Sequence, residues 1–402
     1  MAIKVNFIIV SLIFAFGINL VIAHRESNNS HVSADIHRKK ASRHKHNSII
    51  TTIKTIHGDI YDCVDIYKQP GMRHPAMASE RIRMVISQEL ERRKEMQLAS
   101  EEEETDQERR RTSAAKSLWL NKKGCPLGSV PIRRMSKHRK LEPNVQPHFI
   151  NMDDRVYAST TDSHLDFAGL IVRNAPSGRF SGGKATMTIW NPQLKGDHQY
   201  SSVSMYVEDG DNQIRVGWIV YPALYGDSRT RLFSRWTSDG YAKTGCYINH
   251  CPGFVIFSNI IPLDYPYPNM SEFEGTQYDT TLIVFKGSAG DWVLNFNEEE
   301  NLGMWTKSIF STMSESAAQL RFGGECFKPQ GQEYSPQMGS GRFKNGQYDK
   351  TCYMRRLFYF DPVYGNNVID DSMVQPQDSR CYYEGNYGYN YKDNFYAYNF
   401  FL

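Results

Sequence analysis

After residue 23 the sequence has no apolar run long enough to cross a bilayer as a helix. Charge of one sign is also scarce. The formal net charge over 402 residues is only +3, and the basic residues crowd into the N-terminal third, so no dedicated nucleic-acid surface is expected. There is no Gly-x-Ser-x-Gly elbow to present a serine nucleophile. No second Cys or His pair at ligand spacing accompanies Cys246 and Cys251, so neither zinc nor another cofactor is expected. His24 to Asn47 is rich in His, Lys and Arg but has no carboxylate or thiol cluster beside them, and reads as a solvated arm. Cysteines number seven, so at least one does not pair within the chain.

Aromatic residues and glycine are abundant: 24 Tyr, 21 Phe and 29 Gly fit an all-β fold better than a helical one. Met1 to Ala23 reads as a signal peptide, with Lys4, an apolar run from Phe7 to Phe16, and a small-residue site ending at Ala23. The expected destination is the extracellular space or cell wall, or the vacuole, with no membrane contact after cleavage. That route is oxidising and permits disulfides. It also makes Asn28 and Asn269, each heading an Asn-x-Ser sequon, candidate glycan acceptors.

Strand patterns dominate from about Arg155. Lys184–Trp190, Ser202–Glu208, Thr280–Phe285, Trp292–Phe296, Gln319–Phe322 and Tyr353–Phe360 alternate or cluster apolar residues between turn signals. In the stretch Asn212–Gly253, Ile214, Val216, Trp218 and Val220 share one strand face, and Arg215, Gly217 and Ile219 the other. These patterns predict an all-β antiparallel β-sandwich preceded by a small α+β domain. Helical spacing is read in two places: Ile82, Val85, Ile86 and Leu90, as a solvated helix or linker, and Trp305–Ala318 inside the sandwich. After Cys381 the tail is Tyr, Asn and Phe with little else, an edge strand or extension. Cys246 and Cys251, flanked by turn residues, predict a tight disulfide loop.

Four motifs then converge. Gly58-Asp59-Ile60-Tyr61-Asp62-Cys63-Val64-Asp65 with Tyr67-Lys68-Gln69-Pro70, Cys125-Pro126 with Val130-Pro131-Ile132-Arg133-Arg134, the Gly217-Trp218 strand, and Gly323-Gly324-Glu325 together resemble the neprosin family of secreted plant proteins, which includes a proline-directed glutamic endopeptidase. The resemblance implies an activation-type propeptide over residues 24–145, carrying a charged helical insertion near 76–111. A sandwich over 146–381 and a Tyr-rich tail over 382–402 would follow. Cys63 and Cys125 are then expected to pair. Among Cys326, Cys352 and Cys381 one further pair is expected, with Cys381 the better supported member and Cys352 a candidate partner.

In that family two glutamates face each other, one ionised to activate water and one protonated to donate. Here Glu325 keeps the second position, and Arg215 stands where the first glutamate is expected. A guanidinium cannot share a proton with Glu325; it would pair with it and lower its pKa. Gly217, Gly323, Gly324 and Trp236 are expected along the substrate cleft. Glu208, Asp209 and Asp211 are weighed as a substitute acid and read as exposed strand-end residues. Arg235, before Trp236, is a second departure from the family pattern. The leading expectation is a catalytically impaired member that binds a peptide, protein or wall polymer. The alternatives are an active acid-pH proline-directed endopeptidase using Glu325 with another carboxylate, and a structural wall protein acting through its tail. Oligomeric state is not legible.

Overall fold

The computed structural model describes residues 48–102, 117–134, 164–248, 251–332, 334–341, 349–377, 383–384, 388–390 and 395–401. The expected signal peptide, Asn28 and Cys381 lie outside them, as does the side chain of Cys246. The chain divides after residue 49 into two units, and of the first only Ser48 and Ile49 are described. No helix among the described residues is long and apolar enough to cross a membrane.

The described chain opens with a three-stranded sheet, β1 (Ile49–Lys54), β2 (Ile60–Asp65) and β3 (Ser129–Arg133), in that order. Cys63 on β2 is joined to Cys125, just ahead of β3, by a disulfide closing a separation of 62 residues. Between them lies a helix, α1 (Glu80–Glu102). Its apolar residues are not left to solvent. Ile82 and Ile86 are fully buried, because Arg81 chelates Asp291 at 2.8 and 2.9 Å and Arg93 reaches Glu300 at 2.6 Å. The expected solvated helix is therefore docked along the sandwich.

The remaining strands form two antiparallel sheets packed face to face. The seven-stranded sheet runs β17 (Val374–Gln377), β4 (His164–Val172), β14 (Gln319–Lys328), β6 (Tyr200–Asp209), β7 (Asn212–Val220), β8 (Arg231–Thr237), β9 (Cys246–Tyr247). The ten-stranded sheet runs β10 (Phe254–Ile256), β13 (Glu300–Trp305), β12 (Trp292–Phe296), β11 (Asp279–Lys286), β5 (Gly182–Thr188), β15 (Cys352–Asp361), β20 (Phe395–Phe401), β18 (Tyr383–Glu384). β16 (Gly365–Val368) pairs with β15, and β19 (Gly388–Asn390) with β20. Part of the Tyr-rich tail thus extends the second sheet. Val203, Met205, Val207, Ile214, Val216, Trp218, Leu320 and Phe322 face Ala185, Met187, Leu282, Val284 and Met354, all with at most 1% exposure. Each such large side chain contributes roughly 1.5–3 kcal/mol of burial. Trp218 Nε1 donates to Thr188 O at 2.8 Å and ties the sheets together through the core.

Two expectations need correction. Trp305–Ala318 is not an α-helix. β13 ends at Trp305, a single 3-10 turn covers Lys307–Ile309, and Ala317 bridges Phe180. Six serines and threonines between Thr306 and Ser316 favour local side-chain bonding over a helical ladder. Asn212 Oδ1 instead accepts from the amides of Ser311 and Thr312 at 2.8 and 3.2 Å. Secondly, Cys352 carries a buried thiol that is not in a disulfide, its pKa raised by burial to about 12. Cys251 is disulfide-bonded.

Candidate functional site

The outer face of the seven-stranded sheet is built from three transverse rows fixed by register. The first is Phe167, Glu325, Ser202, Ile219 and Arg231; the second Gly169, Gly323, Ser204, Gly217 and Phe233; the third Ile171, Arg321, Tyr206, Arg215, Arg235 and Tyr247. Successive rows on one face are two residues apart along a strand, about 6.6 Å. The middle row is made of glycine and serine at its centre, and a side chain can lie across it.

Arg215 does so. From β7 it passes over the middle row, donating Nε to Ser204 Oγ at 3.2 Å and Nη2 to Ser202 Oγ at 2.5 Å. Nη1 donates to Glu325 Oε1 on β14, across the intervening strand β6. The same oxygen accepts from Tyr200 Oη at 2.6 Å, and Oε2 accepts from Tyr206 Oη at 3.0 Å. Both carboxylate oxygens are therefore occupied by donors. The guanidinium also lies over the rings of Tyr206 and Phe233, at 4.9 and 5.1 Å. Gly217 must remain glycine, since a Cβ there would stand 2.0 Å from Val203 O.

Charge follows from this packing. Burial alone would raise the Glu325 pKa, but the Arg215 charge and the Tyr200 hydrogen bond outweigh it and hold the carboxyl below its ordinary range. Burial pulls the Arg215 pKa down and Glu325 more than restores it, leaving it well above the usual arginine value. Tyr206 and Tyr200 are pushed well above the normal phenol range, mainly by burial. They stay protonated, and each donates its hydroxyl hydrogen to Glu325.

Of the residues expected in the cleft, Arg215, Glu325, Gly217 and Gly323 share this face. Gly324 does not. Alternation turns it to the other side of β14, where a Cβ would meet Met338 Sδ at 2.3 Å. Trp236 also faces away, opposite Ile214 in the register, edge-on to Phe310 in the core. Cys326, next to Glu325 in sequence, packs behind the strand with Ala168 and Met338. Glu208 is not an exposed strand-end acid. It is 6% exposed and chelated by Arg321 through two bonds of 2.7 Å, with Gln213 at 2.5 Å and Gln319 at 2.8 Å. It stands opposite Gln319, six residues from Glu325 along β14, roughly 20 Å away. Asp209 is paired with Arg179 at 2.5 Å.

Tyr200, Ser202, Ser204, Tyr206 and Arg321 were missed by sequence reasoning. Their alternation with Val203, Met205 and Phe322 marks their face, but only strand pairing brings them to Glu325. No group of three or more His, Cys, Asp or Glu gathers to hold a metal among the described residues.

A family model described as Neprosin matches residues 197–401, a little over half the chain, and one described as Neprosin activation peptide matches residues 52–164. Among solved structures, the chain is similar to scytalido-glutamic peptidase bound to a peptide-based transition-state analogue. The identity is 12% and the TM-score 0.32, covering 59% of this chain and 99% of that one. It is similar also to SCP-B, a member of the eqolisin family of peptidases complexed with the tripeptide Ala-Ile-His, at 10% identity and TM-score 0.31 over 59% and 99%. Both likenesses are distant.

Proposed function

This chain belongs to the neprosin family, and on that premise we propose that it is a secreted member that binds peptide in the cleft of the glutamic peptidase site without cleaving it. The single observation carrying this reading is the buried ion pair of Arg215 and Glu325, whose side chains are 2% and 6% exposed. A two-carboxyl mechanism needs one acid that is protonated and another that is free to take a proton from water. Arg215 supplies neither. It also occupies Glu325 Oε1 and favours the ionised form, so the remaining carboxyl has neither its partner nor its freedom. Freeing it would mean breaking a buried pair, a cost of about 3–5 kcal/mol.

The N-terminal module supports the reading of a family precursor. Asp59 accepts from Arg133 at 2.6 Å and from Arg231 of β8 at 3.0 Å, and Tyr61 Oη donates to Asp264 at 2.9 Å. Arg231 belongs to the Glu325 row, so the module is anchored on the face that carries the site.

The test is digestion of a proline-containing protein at acid pH, read by mass spectrometry. The unmodified chain, Arg215→Glu and Glu325→Gln would be compared. Cleavage is expected from Arg215→Glu alone, because two facing carboxyls would again share a proton. Cleavage by the unmodified chain that disappears in Glu325→Gln would overturn the reading in favour of an active peptidase.

A further inference from the structure

Arg235 is the one guanidinium of the third row with no carboxylate. Arg321 is chelated by Glu208 and Arg215 is paired with Glu325. Arg235, directly opposite Arg215 in the register and 4% exposed, stacks against Tyr241 at 3.8 Å and Tyr247 at 4.9 Å. Among the described residues no acceptor engages its N–H groups and no carboxylate lies within 4.0 Å of it. Arg321 Nη1, in the same row, is buried without a hydrogen-bond partner, whereas no Arg235 nitrogen is sealed off in that way, so the small exposed area of Arg235 lies at its guanidinium. A buried charge left unpaired is costly, and two guanidinium groups side by side add repulsion. Such a cost is relieved when a ligand brings the missing anion.

We propose that Arg235 anchors a carboxylate-binding subsite of this face, and that the bound peptide presents an acidic side chain or a free C-terminus to it. The inference rests on the peptide-binding reading above. Three arginines stand against Glu325 and Glu208, leaving one positive charge that one carboxylate neutralises. The guanidinium carbon lies over the rings of Tyr241 and Tyr247, at 3.8 and 4.9 Å, and neither ring can accept the two parallel hydrogen bonds that a planar carboxylate takes from a guanidinium. A phosphate monoester would bring about two charges and overshoot.

The experiment uses the full chain and three fluorescently labelled, proline-containing heptapeptides. One is amidated with a central Glu, one is its amidated Gln counterpart, and one is the Gln peptide with a free C-terminal carboxylate. Affinity is read by anisotropy and cleavage separately by mass spectrometry. At least one carboxylate-bearing peptide is expected to bind about tenfold more tightly than the amidated Gln peptide, a difference of ~1.4 kcal/mol. Arg235→Gln should erase that preference, and Arg235→Lys should keep part of it. The arm that responds identifies side chain or terminus as the source. Arg235→Gln is expected to melt no lower than the unmodified chain, because it removes an unpaired buried charge. Equal binding of all three peptides, no binding, or a preference that survives Arg235→Gln would overturn the proposal. So would Arg235-dependent binding of a galacturonate oligomer in place of the peptides. If the unmodified chain cleaves but Arg235→Gln still loses the preference, the non-cleaving reading fails and the subsite stands.

Discussion

Arg215 and Glu325 lie 110 residues apart, on strands that do not pair with each other, yet Nη1 of one donates to Oε1 of the other over the top of β6. The bond exists because Ser204 and Gly217, beside it in the middle row, project nothing larger than a hydroxymethyl group. Its energetic signature is specific. Removing one partner by Arg215→Met leaves an uncompensated carboxylate and is expected to cost about 3–5 kcal/mol, whereas Arg215→Met with Glu325→Leu should cost markedly less. Denaturant unfolding of the two variants checks this, and a double variant as unstable as the single one would contradict it.

Docking of the N-terminal module is expected to weaken in acid. For Asp59, burial raises the pKa, and the charges of Arg231 and Arg133 outweigh it and lower the value. Asp227 reaches about 2: burial raises it, and the Arg231 and Arg229 hydrogen bonds and charge prevail. A carboxyl with a depressed folded pKa gives stability that is present above its unfolded value, about 3.9, and lost as pH falls through the folded one. The module should therefore lose protection from about pH 4 downward, and Asp227 should protonate only near pH 2. Asp264 has the opposite sign, its pKa raised by burial despite Arg231 and Arg133, and it becomes easier to keep buried as pH falls. Hydrogen exchange in Ile60–Asp65 against pH measures the balance; protection unchanged down to pH 2 would contradict the prediction.

Gln69 acts as a surrogate strand for β10. Its Oε1 accepts from Ile256 N at 2.7 Å and its Nε2 donates to Ile256 O at 2.9 Å. Gln69→Ala should cost about 1–3 kcal/mol for each backbone group left unsatisfied. Gly71→Ala should be as damaging, since a Cβ would stand 1.8 Å from Phe254 O. Equilibrium unfolding reads both, and an unchanged midpoint would count against the contact.

Replacing Cys63 and Cys125 with serine should destabilise the chain by about 2–5 kcal/mol, because the bridge closes a separation of 62 residues that unfolding would otherwise release. Thermal melts with and without reductant, compared with the double-serine variant, test it. Reduction should lower the melting temperature at least as far as the double variant does, because the disulfide of Cys251 opens as well.

By itself the sequence determined the all-β class, the main strands and the two sides of β7, because side-chain alternation is a local property with a period of two. It also determined that Arg215 faces Glu325, once motif resemblance aligned their positions. The same alternation sets Gly324 opposite Glu325, and it turns Trp236 away from the site as well. The tertiary structure alone decided the rest. The hydroxyls around Glu325, the burial of Glu208 under Arg321, and the bare guanidinium of Arg235 depend on which strands lie side by side. Strand register is set by long-range pairing and packing, and no local pattern encodes it. The apolar spacing of 305–318 misled for the same reason: Asn212, about a hundred residues away, supplies the hydrogen bonds that a helix would have supplied locally.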